Sequence, residues 1–127
     1  VLDVAGRDSA EFRSALLTAD VLIIPTQPSQ TDIEVLPFVL RLVNTAKQVN
    51  KNLKTFVVLN KAPTNNKSTE IDAALELLQQ VKSVKTLNTI LRDRKQFRDA
   101  MIEGKSVLEM GSSKAKDELN EFLVEIL

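Results

Sequence analysis

The sequence predicts an α/β fold: a parallel sheet with helices packed on both of its faces. Short apolar runs alternate along the chain with longer stretches whose apolar residues recur every three or four positions, and short loops join them. The runs at 20–25 and 54–61 are almost continuously apolar. That pattern suits strands covered on both faces rather than one.

Each element has its own justification. Residues 1–4 read as the end of a strand. Residues 9–18 have helical spacing, with Phe12, Ala15 and Leu16 on one face. The strand at 20–25 is closed by Pro25. A long helix spans 30–50, with Ile33, Leu36, Val39, Leu40, Leu42, Val43 and Ala46 on its buried side. Ser29 or Thr31 caps its start, Asp32 and Glu34 suit the positive end of its dipole, and Pro37 is expected to kink it. After the strand at 54–61 comes a turn-rich loop, then a helix at 69–82 capped by Ser68, with Ile71, Ala74, Leu75 and Leu78 buried. Residues 84–91 read as a third strand. A short helix at 94–103 ends at Gly104. A last helix at 112–127 is expected to bury Ala115, Leu119, Phe122, Leu123 and Ile126.

Composition narrows the chemistry. The 127 residues include 43% hydrophobic side chains, sufficient for a real core. There is no cysteine, which excludes disulfides and thiolate metal sites, and no histidine, which removes the usual general base. A cation would be held by oxygen, which suits Mg²⁺. No apolar run approaches the roughly 18–20 residues of a membrane span, and the first residues do not have the pattern of a signal peptide. Val1-Leu2-Asp3 reads as starting mid-strand, so the chain is expected to be part of something longer.

Two stretches suggest a site. Val1-Leu2-Asp3 is an apolar strand ending in a carboxylate, with Gly6 three residues on. In open α/β sheets ligands sit beyond the carboxyl ends of strands, where a carboxylate can hold Mg²⁺ and a glycine permits close approach to a phosphate. By itself the Asp is equally a turn or cap residue. Residues 20–32 then carry an apolar strand into Pro25, Gln27-Pro28-Ser29 and Asp32, which opens a helix. Gly104-Lys105-Ser106 copies the tail of a phosphate-loop motif, but the motif needs glycine at position 99, which is Asp99, and the run follows a helix rather than a strand. Gly104 reads instead as a helix terminator.

These stretches together resemble the ParA/MinD-type, deviant-Walker P-loop ATPases of plasmid and chromosome partition. The resemblance rests on Asp3-Val-Ala-Gly6, on Ser14-Ala15-Leu16 through Ala19-Asp20, and on the 20–32 stretch. It extends to Gly104-Lys105-Ser106-Val107-Leu108-Glu109 and to Lys114-Ala115 through Glu118. It covers nearly the whole chain and is densest at 1–32 and 92–127. It implies the C-terminal part of a single ATPase domain spanning 1–127, a partial P-loop NTPase-like three-layer sandwich missing its N-terminal strands and its phosphate loop. Asp3 would be the Walker-B residue, holding Mg²⁺ through water. Gly6 to Ser9 would sense the γ-phosphate. Asn60 would read the adenine edge, since its amide offers both a donor and an acceptor, and Lys61 would line the same cleft. Strand-end turn former and solvated lysine are the plain alternatives for these two. The family's own strand between the Walker-B strand and the 20–25 strand would be absent. The gap would be filled by an upstream segment, filled by another chain, or closed by the two strands meeting.

Charge is balanced overall, at 17 basic and 17 acidic side chains, but not locally. Lys82, Lys85, Arg92, Arg94, Lys95, Arg98 and Lys105 stand against only Asp93, Asp99 and Glu103 in residues 82–105. Such a stretch can neutralise phosphates without reading bases. Arg92, Arg94, Lys95 and Arg98, supported by Lys82 and Lys85, are the DNA-binding candidates. A solvated face with ion pairs to Asp93 and Asp99 accounts for them equally well. The last helix is more acidic than basic, so anionic membrane would repel it.

The function these expectations describe is a partition ATPase: an ATP/ADP- and Mg²⁺-using, dimerising protein on nucleoid DNA in the cytoplasm. A centromere-binding protein would be its partner, and it would have no membrane attachment. The isolated chain is expected to be inactive, with the decisive lysines upstream. Two alternatives stand beside it: a ParA-like positioner of another cargo, and a non-enzymatic interaction or dimerisation module.

Overall fold

The computed structural model describes residues 1–5, 7–65 and 69–127. Three strands, β1 (Val21–Thr26), β2 (Lys54–Ala62) and β3 (Lys85–Arg92), form a parallel sheet in the order β1-β2-β3. Helices α1 (Ala10–Thr18), α2 (Gln30–Lys47) and α3 (Glu70–Gln79) cover one face, and α5 (Lys114–Ile126) covers part of the other. Helix α4 (Lys95–Ile102) and a 3-10 turn (Val107–Glu109) link β3 to α5. The fold is therefore α/β, a three-strand parallel sheet between helices, consistent with a partial P-loop NTPase-like sandwich.

Strand alternation builds the two cores. Val57 and Leu59 of β2 point toward Leu36 and Leu40 of α2 and Ile71, Ala74 and Leu78 of α3. Phe56 and Val58 point the other way, with Leu87, toward Phe122 and Ile126 of α5. Phe12 and Leu16 of α1 meet Val39, Val43 and Ala46 of α2. Val43 and Val57 have no exposed surface at all. Burying a side chain of this size contributes ~1.5–3 kcal/mol, so these contacts carry most of the fold.

The helix ends follow their sequence signals. Ser9 accepts the Phe12 amide at 3.1 Å and Ser29 the Asp32 amide at 3.3 Å. Thr31 is not the cap of α2, because it already lies within the helix. Helix α2 continues through Pro37 without interruption. The expected cap Ser68 lies outside the described residues. Asn50, after α2, donates to the carbonyls of Leu16 at 3.0 Å and Ala19 at 2.8 Å, tying off the end of α1.

Two expectations give way. The strand expected at residues 1–4 does not form: Val1 and Leu2 are exposed, and only Val4 packs, against the Phe12 cluster. A strand needs a laterally bonded neighbour, and among the described residues β1 pairs with β2 alone. The two strands flanking the expected gap thus do not close up. Of the apolar residues of α5, only Ala115 is fully buried. Helix α5 lies over β3 at the sheet margin, so Leu119, Phe122, Leu123 and Ile126 are each covered on one side only.

Candidate functional site

Parallel strands bring their carboxyl ends to one rim of the sheet, and that rim is where α/β folds place ligands. Here it gathers Gln27-Pro28-Ser29 after β1, Asn60 to Pro63 at the end of β2, and Arg92 to Arg94 after β3. Helix α2 also starts at this rim. Its Asp32 carboxylate accepts the Gln27 amide at 3.0 Å, which fixes the turn between β1 and α2.

The end of β2 is irregular. Leu59 pairs with Ile90 and Ala62 with Arg92, so β2 carries one more residue than β3 over this interval. The surplus falls on Asn60 and Lys61. Lys61 takes a left-handed backbone, φ 51°, which a non-glycine residue adopts only under constraint. Bulges of this kind re-aim side chains, and they concentrate beside functional sites. The Asn60 amide is half-buried and makes no side-chain hydrogen bond among the described residues. Its side chain carries both a donor and an acceptor.

Asp3 lies on the exposed N-terminal segment. No group of three or more His, Cys, Asp or Glu side chains that could hold a metal ion occurs among the described residues. Gly6 lies outside the described residues, and with it the first residue of the expected switch; Ser9 serves as the cap of α1.

The basic stretch divides into inward and outward members. Arg94 pairs with Glu118 at 2.6 Å, both largely buried. Arg92 donates to the Pro63 carbonyl at 2.6 Å. Lys95 pairs with Asp99 at 3.0 Å and Arg98 with Asp93 at 2.6 Å, on the surface. Lys85 stands over the Phe56 ring at 5.8 Å, and Lys82 is exposed.

Gly104-Lys105-Ser106 terminates one helix and starts the next turn. Gly104 has φ 66°; its amide donates to Met101 at 3.1 Å and that of Lys105 to Ala100 at 2.9 Å, the paired bonds of a glycine-stopped helix. Ser106 then caps the 3-10 turn, its amide donating to Glu109 at 2.8 Å.

Sequence reasoning missed the work of the acids on α5. Glu125 accepts the Asn88 amide at 2.7 Å, the Thr89 amide at 2.9 Å and the Thr89 hydroxyl at 2.8 Å. Burial pushes its carboxyl upward. The hydrogen bonds from Asn88 and Thr89, with the charge of Lys85, outweigh that and hold it below its ordinary value. Glu118, two helical turns earlier, accepts the Arg92 amide at 3.2 Å as well as Arg94. The signal was present in the spacing: residues 118 and 125 flank the apolar stripe of the helix on one side. A shallow depression of about 570 Å³ beside these residues carries no ligand argument, since Glu125 already serves strand amides there.

The arrangement defines a parallel α/β protein with a half-buried asparagine at the carboxyl rim of its sheet. No family model matches the chain. It is similar to the maintenance of carboxysome distribution protein A of Halothiobacillus neapolitanus, at 29% identity over 122 residues, 94% of this chain. The chain spans about half of that protein's length, 55%. This likeness supports a ParA-like relationship for the chain. No helix among the described residues is long and apolar enough to cross a membrane.

Proposed function

We propose that this chain is the C-terminal part of a single ATPase domain of ParA type, in a protein that positions a large cargo. The observation that carries the reading is the half-buried Asn60, at the irregular end of β2 on the carboxyl rim of the sheet. The motif resemblance and the likeness to a protein named for distributing carboxysomes agree with it. In the whole protein, Asn60 reads the adenine edge of ATP or ADP, with Lys61 beside it. Asp3 holds Mg²⁺ through water. The nucleotide supplies the free energy that drives assembly of a dimer, and these residues bind and orient it.

DNA is the proposed track. Lys82, Lys85, Lys95 and Arg98 are its exposed candidates, Lys95 and Arg98 within surface ion pairs to Asp99 and Asp93, while Arg92 and Arg94 are half-buried and held by Pro63 and Glu118. Non-specific attraction of this kind is salt-dependent and places the protein on the nucleoid. The cargo is open between a replicon, reached through a centromere-binding partner, and a large protein body. The similarity to a protein named for carboxysome distribution favours the protein body.

Calorimetry with ATP and Mg²⁺-ADP tests the reading, run on the full-length gene product and on this chain. Binding by the full-length protein and none by the chain is expected, because phosphate binding needs residues beyond those here. No binding by either would replace the ATPase reading with a non-enzymatic interaction module.

A further inference from the structure

We propose that Arg92 is a positioning residue for nucleotide-base recognition, acting through the loop that leaves β2. The proposal rests on the reading of Asn60 given above. Lys61 holds a left-handed backbone that its side chain does not favour, and such a conformation persists only where its surroundings impose it. Two contacts hold the residues immediately after Lys61, both from the end of β3. The Asp93 amide donates to the Ala62 carbonyl at 2.9 Å, and the Arg92 guanidinium reaches back to the Pro63 carbonyl at 2.6 Å. Arg92 is itself anchored from the opposite side, where its own amide donates to Glu118. A rigid chain of contacts thus runs from α5 through Arg92 to the residues just after the bulge.

This geometry makes Arg92 a strut rather than a phosphate contact. A planar guanidinium fixed on a backbone carbonyl holds direction as well as distance, which a flexible ammonium does less well. Without it the Pro63 carbonyl loses its tie to β3, while Ala62 stays in the ladder opposite Arg92. Lys61 can then relax toward an ordinary backbone conformation and swing the Asn60 amide out of register with a bound base. The expected consequence is lost discrimination between bases, because a misplaced amide no longer distinguishes an adenine edge from a guanine edge.

The test uses the full-length protein and the dissociation constants of ATP and GTP. Asn60→Ala is the control for the underlying reading and should abolish the preference for ATP. Arg92→Met, which keeps the aliphatic stem but removes the donors, should lower the ATP/GTP preference at least about fivefold, the loss of one ordinary hydrogen bond's worth of selectivity. Arg92→Lys should recover part of it. Binding of non-specific duplex DNA at saturating ATP should stay within about twofold in both Arg92 variants, since no phosphate contact is removed. If Arg92→Met does not fold, Arg92→Gln, whose shorter side chain cannot span to Pro63, takes its place with the same expectation. An unchanged ATP/GTP preference in the Arg92 variants, with Asn60→Ala having lost it, overturns the strut and leaves the adenine reading standing. An Asn60→Ala protein that keeps the preference overturns both. A large loss of DNA binding with base preference intact would make Arg92 a phosphate contact and also overturn the proposal.

Discussion

The two margins of the sheet are built in opposite ways. At the β3 margin the strand swells, with Val57 opposite Thr86 but Leu59 opposite Ile90, and the amides this frees at Asn88 and Thr89 are taken by Glu125. Glu118 closes the same margin further along, at Arg92. At the β1 margin no side chain plays this part among the described residues. The parallel ladder, in which the Lys54 amide donates to Asp20, leaves the odd residues of β1 pointing outward. Val21 is 42% exposed, and Leu22, Ile23 and Ile24 are only half-buried, although their run reads as an interior strand. Beside them lies an apolar groove of about 350 Å³, lined among others by Val4, Phe12, Leu22, Ile24 and Val35. One margin is finished by carboxylates, the other by apolar side chains that water still reaches. The same chemistry of unpaired strand groups therefore receives two treatments in one small sheet.

The largest expected effect breaks the finished margin. Glu118→Ala leaves Arg94 largely buried without its partner and frees the Arg92 amide, and should cost about 3–5 kcal/mol by denaturant titration. Glu125→Ala should cost less, about 1.5–3 kcal/mol, the range for hydrogen bonds to a charged group. Its effect should be local: hydrogen exchange should accelerate most at Asn88 and Thr89 and least at the centre of β2.

The same carboxylate has a pH signature. Its folded value lies below the ordinary 4.5, so its stabilisation is complete above 4.5 and is lost as pH falls through the folded value. Wild-type stability should therefore drop more steeply below pH 4.5 than that of Glu125→Gln, with the two curves converging in strong acid. Parallel curves would mean that the carboxyl is no better bound folded than unfolded.

Two smaller changes probe the β1 side. Thr55, paired with Leu22 across the first two strands, has the one buried side-chain oxygen without a hydrogen bond among the described residues. Thr55→Val should stabilise by about 1 kcal/mol, by removing an unmet acceptor and donor at nearly constant shape. Val21→Lys should cost less than about 0.5 kcal/mol in this chain, as expected of an exposed edge position. A much larger cost in the full-length protein would show that this margin is covered there.

What could be read from the sequence follows the range of the interaction. Helices and strands declared themselves through the spacing of Leu36, Leu40 and Val43 or the run Phe56 to Leu59, because each pattern repeats within a few residues. The cap Ser29 and the stop at Gly104 were equally local, whereas Ser9 was read as part of the helix it caps. The strand at 1–4 was over-read, since an apolar run becomes a strand only where a neighbour can bond to it. The bulges at 60–61 and 87–89, and the contacts of Glu118, Glu125 and Arg92, join residues 24 to 37 positions apart. Composition reports their charge but not their partners. At the rim, the sequence pointed to Asn60 and Lys61 as a pair, but not to the left-handed backbone at Lys61.

The most direct test of the central claim is photolabelling of the full-length protein with 8-azido-ATP, followed by mass mapping of the labelled peptide. The account predicts label within residues 55–65, at the end of β2 and just after it, and its loss when ATP competes. Label confined to residues outside that segment would contradict the placement of the base at Asn60.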